Sequence, residues 1–333
     1  MKSFSTKKLL PFVIAAALSG GASMAQADTE KELKIAHSAQ GNVTSELHMV
    51  GWVFKHYLEE NSDTLSARIY PNSALGDERA VYEGMQLGAG ASCSISGTAI
   101  LNNFSKRVGV IDLPFVWTGY DHMNSVLDGE VGEEIAADLE KAGLKVLAYA
   151  TNWGSRNVVS ANKEIKTAED LKGLKIRTIQ SPVYVDTINL MGANATPMSF
   201  DEVYTSMQTG VLDGFEHGSA VVVSNKFYEV AKNIGLTNHF LGPAIFVCSM
   251  SDWNQFSDKQ KAVVMEAAEL ARDVNRSLAP LREQQAFDFL REKGMNIHEV
   301  DMSEIREEAE ALQDKIADDI GAADLLAKIR DAE

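Results

Sequence analysis

A few charged and polar residues stand out from the sequence because their neighbours are apolar. Arg177 lies in LKIRT, a strand-like segment where a guanidinium is not an ordinary surface charge. Its planar fork donates two parallel hydrogen bonds to a carboxylate, each worth roughly 1.5–3 kcal/mol, which suits recognition of an organic acid. The competing reading is an arginine paired with one of the many acids of this chain. Glu216 and His217 adjoin in LDGFEH, and a carboxylate beside an imidazole can serve as orienting group and general base, although such a pair also arises by chance. Other chemistries lack their spacing. There is no CxxC, HExxH or His/Cys cluster with ligand spacing, so no metal is expected. GxSxG and GxGxxG are missing too, and LGAGAS has two of the three glycines and follows a helix, so no cofactor is expected.

The elements that must position these residues alternate along the chain. LKIAHS (33–38) reads as a strand, and Leu47, Val50, Gly51, Phe54, Tyr57 and Leu58 recur at helical spacing after it. LSARIY (65–70) is a second strand; Asp77 then caps a helix to about Leu87, with Glu78 in its first turn. A strand near 91–96, one helix over 121–142 and the strand LKVLAYA (144–150) complete a first block. The second block holds NVVSA, LKIRTI (174–179), helices over 182–191 and 201–208, the strand VLDGFEH, and a helix resuming at SNKFYEVAK. A long helix over 257–293 is expected to kink at Pro280, and an acidic helix over 303–328 ends the pattern. Strands separated by helices imply an α/β fold with largely parallel sheets. Two blocks without a flexible linker imply two lobes around a cleft. Open α/β sheets bind ligands at the carboxyl ends of their strands, which adds His37, Ser38, Ser96 and Thr98 as cleft candidates, and Asn152 and Trp153 at the end of 144–150.

Composition narrows the function. The chain has 333 residues, 45% hydrophobic and 23% charged, enough for two cores and unlike a disordered or disulfide-dense chain. With 47 acids against 31 Lys and Arg, the net charge of −16 argues against nucleic-acid partners and acidic membrane surfaces. Lys2, Lys7 and Lys8, the apolar run Leu9–Leu18 and Ala25-Gln26-Ala27 have the order of a secretory signal peptide, so 1–27 is expected to be removed and the protein to reside in the periplasm. Removal takes three lysines and deepens the charge to −19. Cys93 and Cys248 each sit in a short apolar segment that reads as a buried strand; their pairing stays open, with separate burial the expected state.

LSARIYPNSALGDERAVYEGMQLGA, LKGLKIRT, MQTGVLDGFEH and SNKFYEVAK, in this order, resemble the solute-binding subunits of tripartite ATP-independent periplasmic (TRAP) transporters, the DctP-like family. The resemblance spans nearly all the chain after residue 27. It implies a two-lobed periplasmic binding protein fold with a long lobe-spanning helix, residues 28–153 plus 243–281 forming one lobe and 154–242 plus 282–333 the other. It also implies a non-enzymatic receptor that closes on a small organic acid and delivers it to the small and large TRAP membrane subunits. Arg177 matches the family's carboxylate-binding arginine. Arg156 matches a second one, which contacts the ligand or braces Arg177. His217 stands where many relatives carry asparagine, so that an anionic ligand would draw a charged imidazole there, with Glu216 orienting it or an arginine. Glu78 matches an acid that accepts from ligand hydroxyls in sugar-acid receptors. With Arg177, Arg156, His217, Glu78, His37, Asn152, Glu216 and Ser96 as candidate ligand-binding residues, a uronate or aldonate is the favoured ligand. A four-carbon dicarboxylate is the alternative, and an exported enzyme on a sugar acid is the alternative of another class. No extra apolar helix of the kind through which some relatives dimerise is present, so a monomer is expected.

Overall fold

The computed structural model describes residues 29–332; the expected signal peptide lies outside the described residues. The chain begins with β1 (Lys31–Ala36), α1 (Glu46–Asn61), β2 (Leu65–Tyr70), α2 (Glu78–Gln86) and β3 (Cys93–Gly97). Next come α3 (Tyr120–Leu127), α4 (Glu130–Lys141) and β4 (Leu144–Thr151), and a short crossing stretch leads to β5 (Arg156–Ser160). A second run holds β6 (Lys175–Thr178), α5 (Pro182–Leu190), β7 (Asn194–Pro197), α6 (Val203–Gln208), β8 (Gly214–Gly218) and α7 (Ser219–Ser224). It is followed by β9 (Asn233–Phe240), β10 (Pro243–Ser249), α8 (Met250–Trp253), α9 (Asp258–Glu292), β11 (Asn296–Glu299), α10 (Ser303–Ile320) and α11 (Ala323–Asp331).

These strands form two sheets, β2-β1-β3-β10-β4 and β11-β9-β5-β8-β6-β7, one in each lobe. Neither is largely parallel, as the sequence pattern implied. β1 is parallel to β2 and β3, and β6 to β7 and β8, but β10 is antiparallel to β3 and β4, and β5 to β8 and β9. The reason lies in the crossings. β4 ends at the cleft and β5 starts there, as β9 ends there and β10 starts there, so each strand that enters a new lobe runs away from the cleft against its neighbours.

Local chemistry accounts for the helix ends. Asp77 caps α2 by accepting from the Ala80 amide at 2.8 Å, and Ser257 with Gln260 forms a capping box on α9. The helix expected over 121–142 is instead α3 and α4. Gly132 lies so close to the Leu127 carbonyl that a Cβ would come within 1.9 Å of its oxygen, so this tight junction admits only glycine. Gly321, at φ +68°, likewise separates α10 from α11 where one acidic helix was expected. α9 runs from Asp258 to Glu292 with Pro280 inside it.

α9 joins the lobes. Val264, Ala267 and Ala271 pack in the core of Leu33, Ile35 and Phe54, while Leu290 packs with Val159, Phe215 and Ile234. The helices after Ser303 pack where the lobes meet: Ile316, Leu325 and Ile329 share a core with Leu127, Ile135 and Leu139 and also with Val183, Tyr184 and Phe240. An amphipathic helix shows in its sequence that it has an apolar face, not which lobe covers it. Cys93 and Cys248 are register partners on β3 and β10 and are disulfide-bonded, which replaces the expectation of separate burial.

Candidate functional site

Between the sheets lies a cavity lined by residues of both lobes. Its two walls differ in charge. On the second lobe, Arg156 starts β5, Arg177 lies in β6 and His217 in β8; on the first, Glu46 and Glu78 are the first residues of α1 and α2.

Arg177 is only 3% exposed. Its Nε and Nη2 donate to the Met198 carbonyl at 3.1 and 2.7 Å, which fixes the guanidinium plane, and the Phe200 ring lies 5.9 Å from its centre. No protein hydrogen bond engages Nη1 among the described residues. Burial pulls the pKa of Arg177 down to about 10, with Arg156 adding to the effect and Glu216 and Glu78 opposing it, so the site holds a cation short of negative charge.

Arg156 has its counterion. Nε and Nη2 donate to the two oxygens of the Glu216 carboxylate, the latter at 2.9 Å, and Nη2 also reaches the Glu216 carbonyl at 3.1 Å. Burial works against the charge on both side chains, but their attraction prevails, raising the pKa of Arg156 and holding Glu216 well below the usual carboxylate range. Thr178 donates to Glu216 at 3.2 Å and His239 Nε2 lies 3.7 Å from it. Glu216 is fully buried and does not line the cavity. Of the two partners expected for it, His217 or an arginine, it pairs with Arg156.

His217 lines the cavity beside Phe200. Its Nδ1 accepts from the Gly218 amide at 2.9 Å, so the neutral ring carries its proton on Nε2 and is a donor. Burial, with Arg156 and Arg177 adding, pushes its pKa well below the ordinary value, so without an anionic ligand the imidazole is neutral. Asn152 also lines the cavity, and its amide ties the crossing stretch to the Pro243 carbonyl at 3.2 Å.

On the opposite wall, Glu78 accepts from Ser38 at 2.8 Å. Burial raises its pKa, with Ser38, Arg177 and Arg156 pulling the other way. His37 and Ser96 do not line the cavity, contrary to expectation. His37 is buried with Nε2 3.0 Å from His48 Nδ1, and burial with that neighbour lowers its pKa to about 3. Ser96 is turned to Tyr82 and the Gly97 carbonyl. Trp153 is core, its indole donating to the Asn275 carbonyl of α9 at 3.0 Å, and Thr98 donates to buried Asp112 at 2.6 Å. Glu46, Asn225 and Phe200 also line the cavity, with no motif in the sequence to mark them. Glu46 gave a faint signal as an acid opening an apolar helix, but that is where the helix dipole favours any acid.

No group of three or more His, Cys, Asp or Glu able to hold a metal occurs among the described residues, and no helix among them is long and apolar enough to cross a membrane.

The family model for bacterial extracellular solute-binding protein, family 7 (DctP), matches residues 35–319. The 2,3-diketo-L-gulonate-binding periplasmic protein of Escherichia coli K12 is 34% identical over 255 residues, 76% of this chain and 77% of the relative. A TRAP periplasmic solute binding protein from Bradyrhizobium sp., solved with α/β-D-galacturonate, superposes with a TM-score of 0.86 at 32% identity, over 90% of this chain and 100% of that one. The sugar acid binding protein of Advenella mimigardefordensis, solved with galactonate, gives 0.85 at 26% identity, over 92% and 100%.

Proposed function

The chain belongs to family 7 of the bacterial extracellular solute-binding proteins (DctP), the solute receptors of TRAP transporters, and we propose that its cargo is a hydroxylated sugar acid, a uronate or aldonate, held by its carboxylate on Arg177. The observation that carries this reading is the opposition of the cavity walls. Arg177, fixed by Met198, offers the free edge of a guanidinium on one side, and Glu78 offers an acceptor on the other. A ligand with an anionic end and hydroxyls at the other satisfies both, whereas a bare dicarboxylate would set its second charge against Glu78. Galacturonate and galactonate, found in the two similar structures, have this form. Arg156 braces the anionic end and His217 donates from Nε2.

Binding rather than catalysis fits the same geometry. Neighbours along a strand face opposite sides of the sheet, so Glu216 turns inward to Arg156 while His217 faces the cavity, and the two do not form an acid–base pair. Closure of the lobes about the crossing stretches near 152–155 and 241–242 encloses the ligand in the periplasm, and the closed form presents it to the membrane subunits.

The test is a thermal-shift panel. At a hundredfold excess over Kd, D-galacturonate, D-glucuronate, D-galactonate or D-erythronate should stabilise the protein by about 2.7 kcal/mol, a rise in Tm of roughly 4 °C. A panel in which only succinate, malate or fumarate responds overturns the assignment.

A further inference from the structure

Glu46 combines three features that an ordinary first-turn acid does not. It is 2% exposed, it lines the cavity, and its Oε2 has no hydrogen-bond partner. No salt bridge joins it to any cation among the described residues. The nearest cationic influence is Arg156, whose Nε and Nη2 are already committed to Glu216. Buried carboxylate oxygens are as a rule hydrogen-bonded, because leaving one without a donor forfeits its hydration with nothing in return. Accordingly, burial pushes the Glu46 carboxyl up to about 7, against the weaker pull of its own backbone amide and of Arg156.

From this geometry we propose that Glu46 is a second hydroxyl-recognition residue of the cleft, its open oxygen accepting from a hydroxyl of the sugar acid whose carboxylate lies on Arg177. The inference rests on the sugar-acid reading above and deepens it. The titratable and charged groups sharing the cavity are Glu78 from α2, Arg156 from β5, Arg177 from β6 and His217 from β8. The two acids stand on one wall and the cations on the other, so a donor is needed at Glu46 and a second carboxylate is repelled. The free hydroxyls of a uronate or aldonate supply the donor. Glu78 already accepts from Ser38, whereas Oε2 of Glu46 has no protein donor among the described residues.

The experiment compares wild type, E46Q and E46A by calorimetric titration at pH 8 with D-galacturonate, D-galactonate, D-erythronate and succinate, and by melting without ligand. Both variants should bind the sugar acids about tenfold or more weakly, with no loss of whatever affinity succinate shows. Ligand-free E46Q should melt no lower than wild type, since the substitution removes a buried carboxylate that has no partner. A merely structural role predicts the reverse, so a fall of several degrees in E46Q overturns the proposal. If wild type binds a sugar acid and both variants bind it with unchanged Kd, the Glu46 assignment falls alone. If wild type binds none of the sugar acids, the sugar-acid reading falls, and the assignment with it.

Discussion

Replacing Arg177 with alanine should remove ligand binding while leaving the fold close to intact, and both halves of that expectation follow from the same side chain. Its Nε and one Nη2 proton are taken by the Met198 carbonyl, so Nη1 and the second Nη2 proton form the edge presented to a carboxylate. Two hydrogen bonds to a charged acceptor, at roughly 1.5–3 kcal/mol each, amount to about 3–6 kcal/mol, or two to four orders of magnitude in Kd. Stability is a separate matter. The folded-state pKa of Arg177 lies near 10 against 12.5 for a free guanidinium, so at any pH below about 10 the folded chain carries a cation disfavoured by about 3 kcal/mol. Alanine removes that penalty. It also strips the Met198 carbonyl of its donors and opens a small void, changes of comparable size and opposite sign, so the ligand-free Tm should move by only a few degrees. Titration calorimetry with D-galacturonate and D-galactonate, on R177A and R177K, measures the first effect. Lysine keeps the charge but loses the fork and should fall between wild type and alanine. A Kd for R177A within threefold of wild type would mean that the ligand's carboxylate does not lie on Arg177.

Three further outcomes are expected. In E216Q the buried Arg156 loses its counterion, so urea unfolding should show a loss of about 3–5 kcal/mol, and an unchanged midpoint contradicts the pairing described. Ligand-free stability should fall as pH rises from about 6.5 to 7.5, above the window in which His37 and His217, neutral when folded, raise stability with pH. Glu46 and Asp112 have folded-state values raised to about 7, so their favourable share is complete below their unfolded pKa values and is lost as pH climbs through 7; D112N should flatten part of this slope in urea titrations. Reduction of Cys93–Cys248, or C93A/C248A, should lower stability by about 2–5 kcal/mol because the bond closes a loop of 155 residues, while ligand Kd, measured by calorimetry, stays as in wild type.

Local patterns in the sequence carried over to the structure where one element decided the outcome. LSARIY forms β2 over the segment read as a strand, Asp77 caps α2, and Arg177 sits on an apolar strand at the cavity. What depended on facing direction did not. Ser96 and His37 stand near strand ends at the cleft, but their side chains turn to Tyr82 and His48, and no composition rule distinguishes the two faces of a strand buried on both sides. Glu216 and His217 adjoin in sequence, but the two-residue period of a strand turns their side chains to opposite faces. Strand direction depended on where the chain changes lobes, which the four residues after Thr151 conceal. Glu46 was invisible because its significance lies in a missing partner, and absence of a partner is a property of three dimensions only.

The cations stand on strands of one sheet and the acids on helices flanking the other, so neither lobe holds more than a fragment of the site. Hydrogen bonds fail once donor and acceptor separate beyond about 3.5 Å, so an opening of a few ångströms dismantles the pocket while each sheet stays as it is. Unloading is then a mechanical operation. A partner that pries the lobes apart lowers affinity at once for every ligand the pocket accepts, and such a partner needs no chemical knowledge of the cargo.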